Sequence, residues 1–176
     1  MDSRGFFLIG VYRPKAEVNV GTLWRHAFLF GAVGCFTVGL RYRHQTSDTL
    51  KATRHIPLTH YADIDDLIKH LPNDCPLVAV ELCDKAKPLD SFNHEERCCY
   101  LLGAEDDGLP IEVLARAHRR VVIPSPMERS MNVAVAGSIV MYDRYVKSKP
   151  TRKRSFTPVR ESGCARQLFG TLRISA

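Results

Sequence analysis

Continuous apolar runs alternate with helix-spaced stretches along most of this chain. Phe6-Phe7-Leu8-Ile9-Gly10-Val11-Tyr12 contains no charged position, the pattern of a strand covered on both faces. Residues 13–18 read as a loop. Residues 19–33 then place Val20, Leu23, Trp24, Ala27, Phe28 and Gly31 on one face at helical spacing. Asn19 is a favoured residue for the helix N-cap. Gly34 stands where a left-handed residue closes a helix, and Cys35-Phe36-Thr37-Val38-Gly39-Leu40 reads as a second strand. Strand, helix, strand in this order predicts a parallel sheet.

Residues 41–60 are polar and basic, with a short helix near residues 47–53 as the most order their pattern offers. A second helix is predicted over residues 63–71, stopped by Pro72-Asn73. Pro76-Leu77-Val78-Ala79-Val80-Glu81-Leu82 reads as a third buried strand, and residues 84–97 as loop with a short helix at most. Cys98-Cys99-Tyr100-Leu101-Leu102 is a fourth strand. A helix follows over residues 110–117, with Pro110 at a tolerated first-turn position. The last strand, residues 120–124, ends at Pro124. After a loop, a helix near residues 131–147 carries an apolar stripe of Val135, Ala136, Ile139, Val140 and Val146. The class implied is α/β: a mostly parallel sheet with helices on both faces. Beyond Lys149-Pro150 the periodicity fails, so residues 1–149 read as one domain and residues 150–176 as a flexible extension.

Composition narrows the class. A chain of 176 residues, 45% apolar, fits one globular domain of ordinary size with some excess. No run reaches the roughly 20 apolar residues needed to span a bilayer. Met1-Asp2-Ser3-Arg4-Gly5 lacks the basic flank of a signal peptide. The expected location is therefore cytoplasmic, with no membrane partner. The six cysteines, at 35, 75, 83, 98, 99 and 164, form no C-x-x-C pair. In a cytosolic chain they read as reduced, buried thiols.

Charge is unevenly placed. Residues 147–176 hold eight Lys/Arg against the single acid Glu161, a net +7, and residues 1–146 hold 17 against 18, a net −1. A basic tail attracts polyanions. A merely solvated end explains it equally well.

Three short polar stretches interrupt the apolar pattern, each where a strand ends or a helix begins. Open α/β sheets hold ligands at such places. The first stretch contains Asn19 and Arg25 with Gly21 between them. Six residues is nearly two helical turns, so the two side chains do not share a narrow face. The second, Gly103-Ala104-Glu105-Asp106-Asp107-Gly108, follows a strand directly. It lacks the Lys-Ser/Thr of a P-loop and the third glycine of a dinucleotide fingerprint. Its three adjacent acids argue against phosphate and could coordinate a metal, but Asp106-Asp107-Gly108 before Leu109-Pro110 also reads as an ordinary turn, and no metal is expected. The third places Ser130 and Asn132 at the start of an apolar helix, where exposed N–H groups can bind an anion. Serine is also a plain helix cap.

No G-x-S-x-G or H-E-x-x-H occurs. The histidines at 26, 44, 55, 60, 70, 94 and 118 are scattered without ligand spacing. His26 points about 100° from Arg25 on an ideal helix and reads as structural or surface.

Read in order, the stretches resemble the signature of the SpoU/TrmH branch of the SPOUT RNA methyltransferases. Asn19-x-Gly21-x-x-x-Arg25 looks like the first motif of that family. Leu102-Gly103-Ala104-Glu105-x-x-Gly108-Leu109 looks like the second. Ile123-Pro124 through Ser130-Met131-Asn132-Val133-Ala134-Val135-Ala136 looks like the third, with Met131 in place of the commoner leucine. The resemblance runs from Phe6 to about Val146.

The resemblance implies a deep C-terminal trefoil knot, a homodimer, and S-adenosyl-L-methionine bent inside the knot. It implies methyl transfer to a ribose 2′-hydroxyl of tRNA or rRNA. Carried over by motif, Val80, Glu81, Gly103, Ile123, Ser130, Met131 and Asn132 hold the cofactor. Asn19, Arg25, Glu105, Ser130 and Asn132 form the catalytic set. Arg25 remains protonated in proteins and is a poor base, so a clamp on the developing alkoxide is the expected role. Arg25, Arg41, Arg43, Lys51 and Arg54, with His44 among them, offer phosphate contacts. Three readings stay open beside this one: an inactive RNA-binding member, base methylation by a related branch, and a nucleotide-binding enzyme on a doubly wound sheet.

Overall fold

A computed structural model describes residues 5–40, 42, 55–104, 107–127 and 129–148. Strands β1 (Phe7–Tyr12), β2 (Gly34–Val38), β3 (Leu58–Tyr61), β4 (Leu77–Val80), β5 (Lys87–Pro88), β6 (Cys98–Leu102) and β7 (Arg119–Val122) form one seven-stranded sheet in the order β3-β2-β1-β6-β4-β7-β5. Every pairing between these strands is parallel. The helices are α1 (Glu17–Leu29), α2 (Ile64–Lys69), α3 (Ile111–Arg116) and α4 (Val133–Lys147), with a 3₁₀ turn at Leu89–Ser91.

Both faces of the sheet are covered, which is why the central strands are apolar at consecutive positions. Ile9, Val11, Val78, Val80, Tyr100 and Leu102 pack with α1 and α4 through Leu23, Trp24, Ala27, Val140 and Met141. The alternate positions, among them Leu77, Ala79, Cys99 and Leu101, pack against Leu67 of α2 and Val113 and Leu114 of α3. The period of two along each strand sorts side chains to the two faces. Burial pushes the Cys35 thiol up to about 12 and that of Cys75 up to about 11. Five cysteines are free thiols among the described residues, as expected for small buried hydrophobes.

Several expected boundaries move. Helix α1 begins earlier, at Glu17, with Ala16 at its N-cap and no side-chain cap bond. Asn19 therefore lies inside the first turn rather than capping it. The helix closes at Phe30 instead of near Gly34. Gly31, at φ +79°, takes the left-handed position, with Gly31 N–H donating to Phe28 O (3.2 Å) and Ala32 N–H to Ala27 O (2.9 Å). That pair of bonds is the Schellman pattern, and it frees Gly34 to open β2. Two strands escape the sequence reading. Strand β3 is a half-exposed edge whose Thr59 and His60 conceal its apolar alternation. Strand β5 has two exposed residues. The short helix expected near residues 47–53, and the whole of residues 150–176, lie outside the described residues.

Candidate functional site

Strands β4, β6 and β7 end side by side, and a cleft of about 240 Å³ opens at their C-terminal edge. The parallel register aligns Val80 with Leu102 and Val121 with Val80, so the segments leaving the three strands start level. Val80, Glu81 and Leu82 form one wall, Gly103, Ala104 and Gly108 a second, and Ile123, Ser125, Ser130 and Met131 a third. Val133 and Ala136 of α4 line it from the helix side. Six of the expected cofactor positions (Val80, Glu81, Gly103, Ile123, Ser130 and Met131) are thus brought together.

Backbone conformation sets the second wall. Gly108, at φ +63°, donates its N–H to Ala104 O at 3.2 Å, tying the loop into a tight return. Glu81 reaches across from β4: Oε2 accepts from Leu109 N–H at 2.8 Å, and Oε1 accepts from Leu82 N–H at 3.0 Å. Asp107 pairs with Lys15 at 3.2 Å, linking this loop to the segment after β1. Both side chains are exposed, so the pair contributes little stability.

The third segment is capped by Asn132, not by Ser130. Asn132 Oδ1 accepts from the N–H groups of Ala134 (3.0 Å) and Val135 (3.3 Å). Its Nδ2 donates to Asn19 Oδ1 at 3.1 Å. The first and third polar stretches therefore meet through one hydrogen bond. Asn132 is the cap because its oxygen reaches both orphan N–H groups, while Ser130 faces the cleft.

Arg25 is exposed on α1 and lines neither this cleft nor the groove between α1 and α4. Among the described residues it forms no ion pair or hydrogen bond. Within a single chain the structure does not bring Arg25 to the cofactor positions. Glu105 and the basic positions Arg41, Arg43, Lys51 and Arg54 lie outside the described residues.

Three further features lie outside the expected site residues. Arg129 is the only cationic side chain lining the cleft among the described residues, and its place just before Ser130 was the available signal. His26 sits between α1 and α4, with its Nδ1 2.5 Å from Ser138 Oγ, and Ser138 donates to Ala134 O at 2.6 Å. Because the hydroxyl proton is used there, His26 donates from Nδ1. Burial, and then the Arg25 charge, lower its pKa. The third feature is a polar network under α4. Tyr100 donates to His94 Nδ1 at 2.5 Å, and His94 Nε2 donates to Asp143 at 2.8 Å. No spacing rule connects residues 94, 100 and 143. No group of three or more His, Cys, Asp or Glu side chains suited to a metal occurs among the described residues.

A doubly wound parallel sheet with its cleft at the carboxyl ends of the strands defines a ligand-binding α/β domain. Within that class the chain belongs to the SpoU rRNA Methylase family, whose model matches residues 7–142. It is 28% identical over 137 residues to the tRNA (guanosine(18)-2′-O)-methyltransferase of Escherichia coli K12, covering 76% of this chain and 58% of that protein. It is 29% identical over 146 residues to a tRNA (cytidine(34)-2′-O)-methyltransferase of Beijerinckia indica, covering 76% and 87%. The chain thus spans well under two thirds of the Escherichia coli relative. Among solved structures, one describing 2′-OH methylation of C/U34 on tRNA superposes with a TM-score of 0.70 at 26% identity, covering 81% of this chain and 91% of its own. An AdoMet-bound rRNA methyltransferase of Sinorhizobium meliloti superposes at 0.71 and 25% identity, covering 84% and 58%.

Proposed function

We propose that the chain is an S-adenosylmethionine-dependent methyltransferase acting on a ribose 2′-hydroxyl of tRNA or rRNA. The observation that carries this reading is the convergence of the segments after β4, β6 and β7 on one cleft, with the first motif joined to the third through Asn19 and Asn132. The family match and the names of the relatives support it. The cleft fits such a cofactor in character: glycine and small or apolar side chains bring backbone groups close, and Arg129 and Ser130 offer polar contacts.

When bound, S-adenosylmethionine supplies a sulfonium methyl group. Val80, Glu81, Gly103, Ile123, Ser130 and Met131 would hold it, with Asn132 fixing the start of α4 beside them. Arg25, always protonated, would clamp the target hydroxyl and stabilise its developing negative charge. Asn19 would orient the ribose, Glu105 would organise the site between protomers, and an RNA phosphate oxygen would accept the proton.

A homodimer forms part of the proposal. The groove between α1 and α4, lined by Asn19, His26, Phe30, Val135 and Tyr142, is apolar in character, and Leu29, Val135, Tyr142 and Val146 are exposed around it. Such a patch suits a protein interface. A second copy across it would set Asn19 and Arg25 at the seam between protomers. The trefoil knot is proposed on the path of residues 81–97. That segment pairs with β7 through Lys87 and Pro88, and its Glu95 and Glu96 carbonyls accept from Arg144 of α4. The chain from β7 to α4 thus runs against one loop at both ends. Arg41, Arg43, Lys51 and Arg54 are proposed as phosphate contacts, with residues 150–176 adding salt-dependent, sequence-independent binding. A cytoplasmic location is part of the same proposal.

Mass spectrometry of nucleosides from cells with and without the gene tests the proposal. Loss of one 2′-O-methylnucleoside is expected. Loss of a methylated base would move the reaction to the base. An unchanged profile, together with no S-adenosylmethionine binding by calorimetry, would refute it.

A further inference from the structure

Glu81 lines the cleft, and both of its carboxylate oxygens are committed to backbone N–H groups. The paired register of β4 and β6 ends at Val80↔Leu102, and Glu81 and Gly103 are the next residues on the two chains. A Cβ on Gly108 would meet Glu81 and nothing nearer: Oε2 at 2.7 Å, Cδ at 3.0 Å and Oε1 at 3.1 Å. A Cβ on Gly103 would run into Glu81 Oε2 and the Gly108 backbone. The carboxylate therefore fills a slot between two glycines five residues apart, and its hydrogen bond to Leu109 N–H closes that slot.

We infer that Glu81 is a positioning residue: its carboxylate, seated between Gly103 and Gly108, holds the loop after β6 as a fixed wall of the cofactor cleft. The glycine spacing of the second motif is then a slot for a side chain of this same protein. This inference rests on the cofactor reading above and changes the role of Glu81 within it. An oxygen that already accepts an N–H bond from its own loop acts on the cofactor through the wall it fixes. Glutamine keeps the volume of the side chain but offers one acceptor instead of two, and alanine offers none and empties the slot.

The test compares the full chain with Glu81→Gln, Glu81→Ala, Gly108→Ala and the Glu81→Ala/Gly108→Ala double variant. The readouts are S-adenosylmethionine titration by calorimetry, thermal melting, and amide exchange at Leu109. Losing a hydrogen bond to a charged group predicts about tenfold weaker cofactor binding for Glu81→Ala, and an intermediate loss for Glu81→Gln at near-native melting. Leu109 should exchange faster in both. Gly108→Ala should weaken binding in the wild-type background and much less after Glu81→Ala, because the atoms it strikes are gone; what remains is the strain of its positive φ.

Unchanged Leu109 exchange in Glu81→Ala, or additive effects in the double variant, would overturn the inference. If Glu81→Ala does not fold, Glu81→Gln and the melting of Gly108→Ala decide. If the wild type fails to bind S-adenosylmethionine while Leu109 exchange and melting show the coupling, the loop clamp stands and the cofactor reading falls.

Discussion

Asn132 donates from Nδ2 to Asn19 Oδ1 at 3.1 Å while its Oδ1 caps α4. The two uses fix the amide orientation, since only the oxygen can accept from Ala134 and Val135. They also separate by substitution. Asn132→Ala should cost about 1 kcal/mol as a lost cap and weaken cofactor binding. Asn132→Asp keeps the cap and suits the positive end of the helix dipole, but it sets oxygen against oxygen at Asn19. Denaturant unfolding should show Asp near wild type, with methyl transfer reduced in both variants.

Arg25 is exposed and makes no ion pair or hydrogen bond among the described residues. Arg25→Ala should therefore leave the melting temperature unchanged. Loss of a donor that stabilises transition-state charge costs about 100- to 1000-fold in rate. Wild-type methylation of the true substrate by Arg25→Ala would remove this residue from the mechanism.

Gly137 of α4 packs against Leu23 of α1. A Cβ there would strike Leu23 Cδ1 and stand 3.5 Å from Ile9 Cδ1, and both partners are fully buried. Overpacking costs about 1–3 kcal/mol, more than the gain of about 1 kcal/mol from replacing a helical glycine. Gly137→Ala should lower the denaturant midpoint, and Leu23→Val in the same chain should restore part of the loss.

Arg144 is a buried cation whose Nη1 donates to Glu95 O (2.6 Å) and Nη2 to Glu96 O (2.7 Å), with its guanidinium 5.2 Å from the Phe7 ring centroid. Arg144→Ala leaves the Glu95 and Glu96 carbonyls without that donor. A loss of about 1–3 kcal/mol is expected for each buried acceptor left unsatisfied. Amide exchange across residues 92–98 should accelerate in the variant.

Stability should depend on pH through His94. Burial lowers its pKa from the ordinary 6.5, against the raising effect of Asp143, and the charges of Arg144 and Lys147 add to the lowering. Below that ordinary value the unfolded chain binds the proton that the folded chain refuses. The stabilisation is complete above about pH 6.5 and is lost as pH falls toward the folded value. Unfolding free energy measured from pH 7.5 to 5 should fall less steeply in His94→Gln than in wild type.

The hydrophobic pattern was sufficient for the central strands and for α1, α2, α3 and α4, because burial on both faces leaves runs that no loop would carry. It failed at the sheet edges. Leu58–Tyr61 is half-exposed and Lys87–Pro88 is exposed, so neither needs an apolar run. The end of α1 was misplaced because Gly31 and Gly34 both permit a left-handed turn, and only the hydrogen bonds from Gly31 and Ala32 choose between them. Among site residues, the motif positions were legible as strand ends. The use of Glu81 was not, because a carboxylate seated between two glycines depends on a neighbouring strand's register.

The sequence by itself determined the class of the protein: alternating buried strands and amphipathic helices, with three polar stretches at their junctions in a family order. Those are local properties, carried by burial period, caps and turns within a few residues. Only the tertiary structure decided which junctions share a cleft, that Asn19 meets Asn132 across 113 positions of chain, and that Arg25 lines neither the cleft nor the groove between α1 and α4 in a single chain. The physical reason is that hydrophobic periodicity records which face of an element is buried but not what it is buried against. Strand order and register supply that partner.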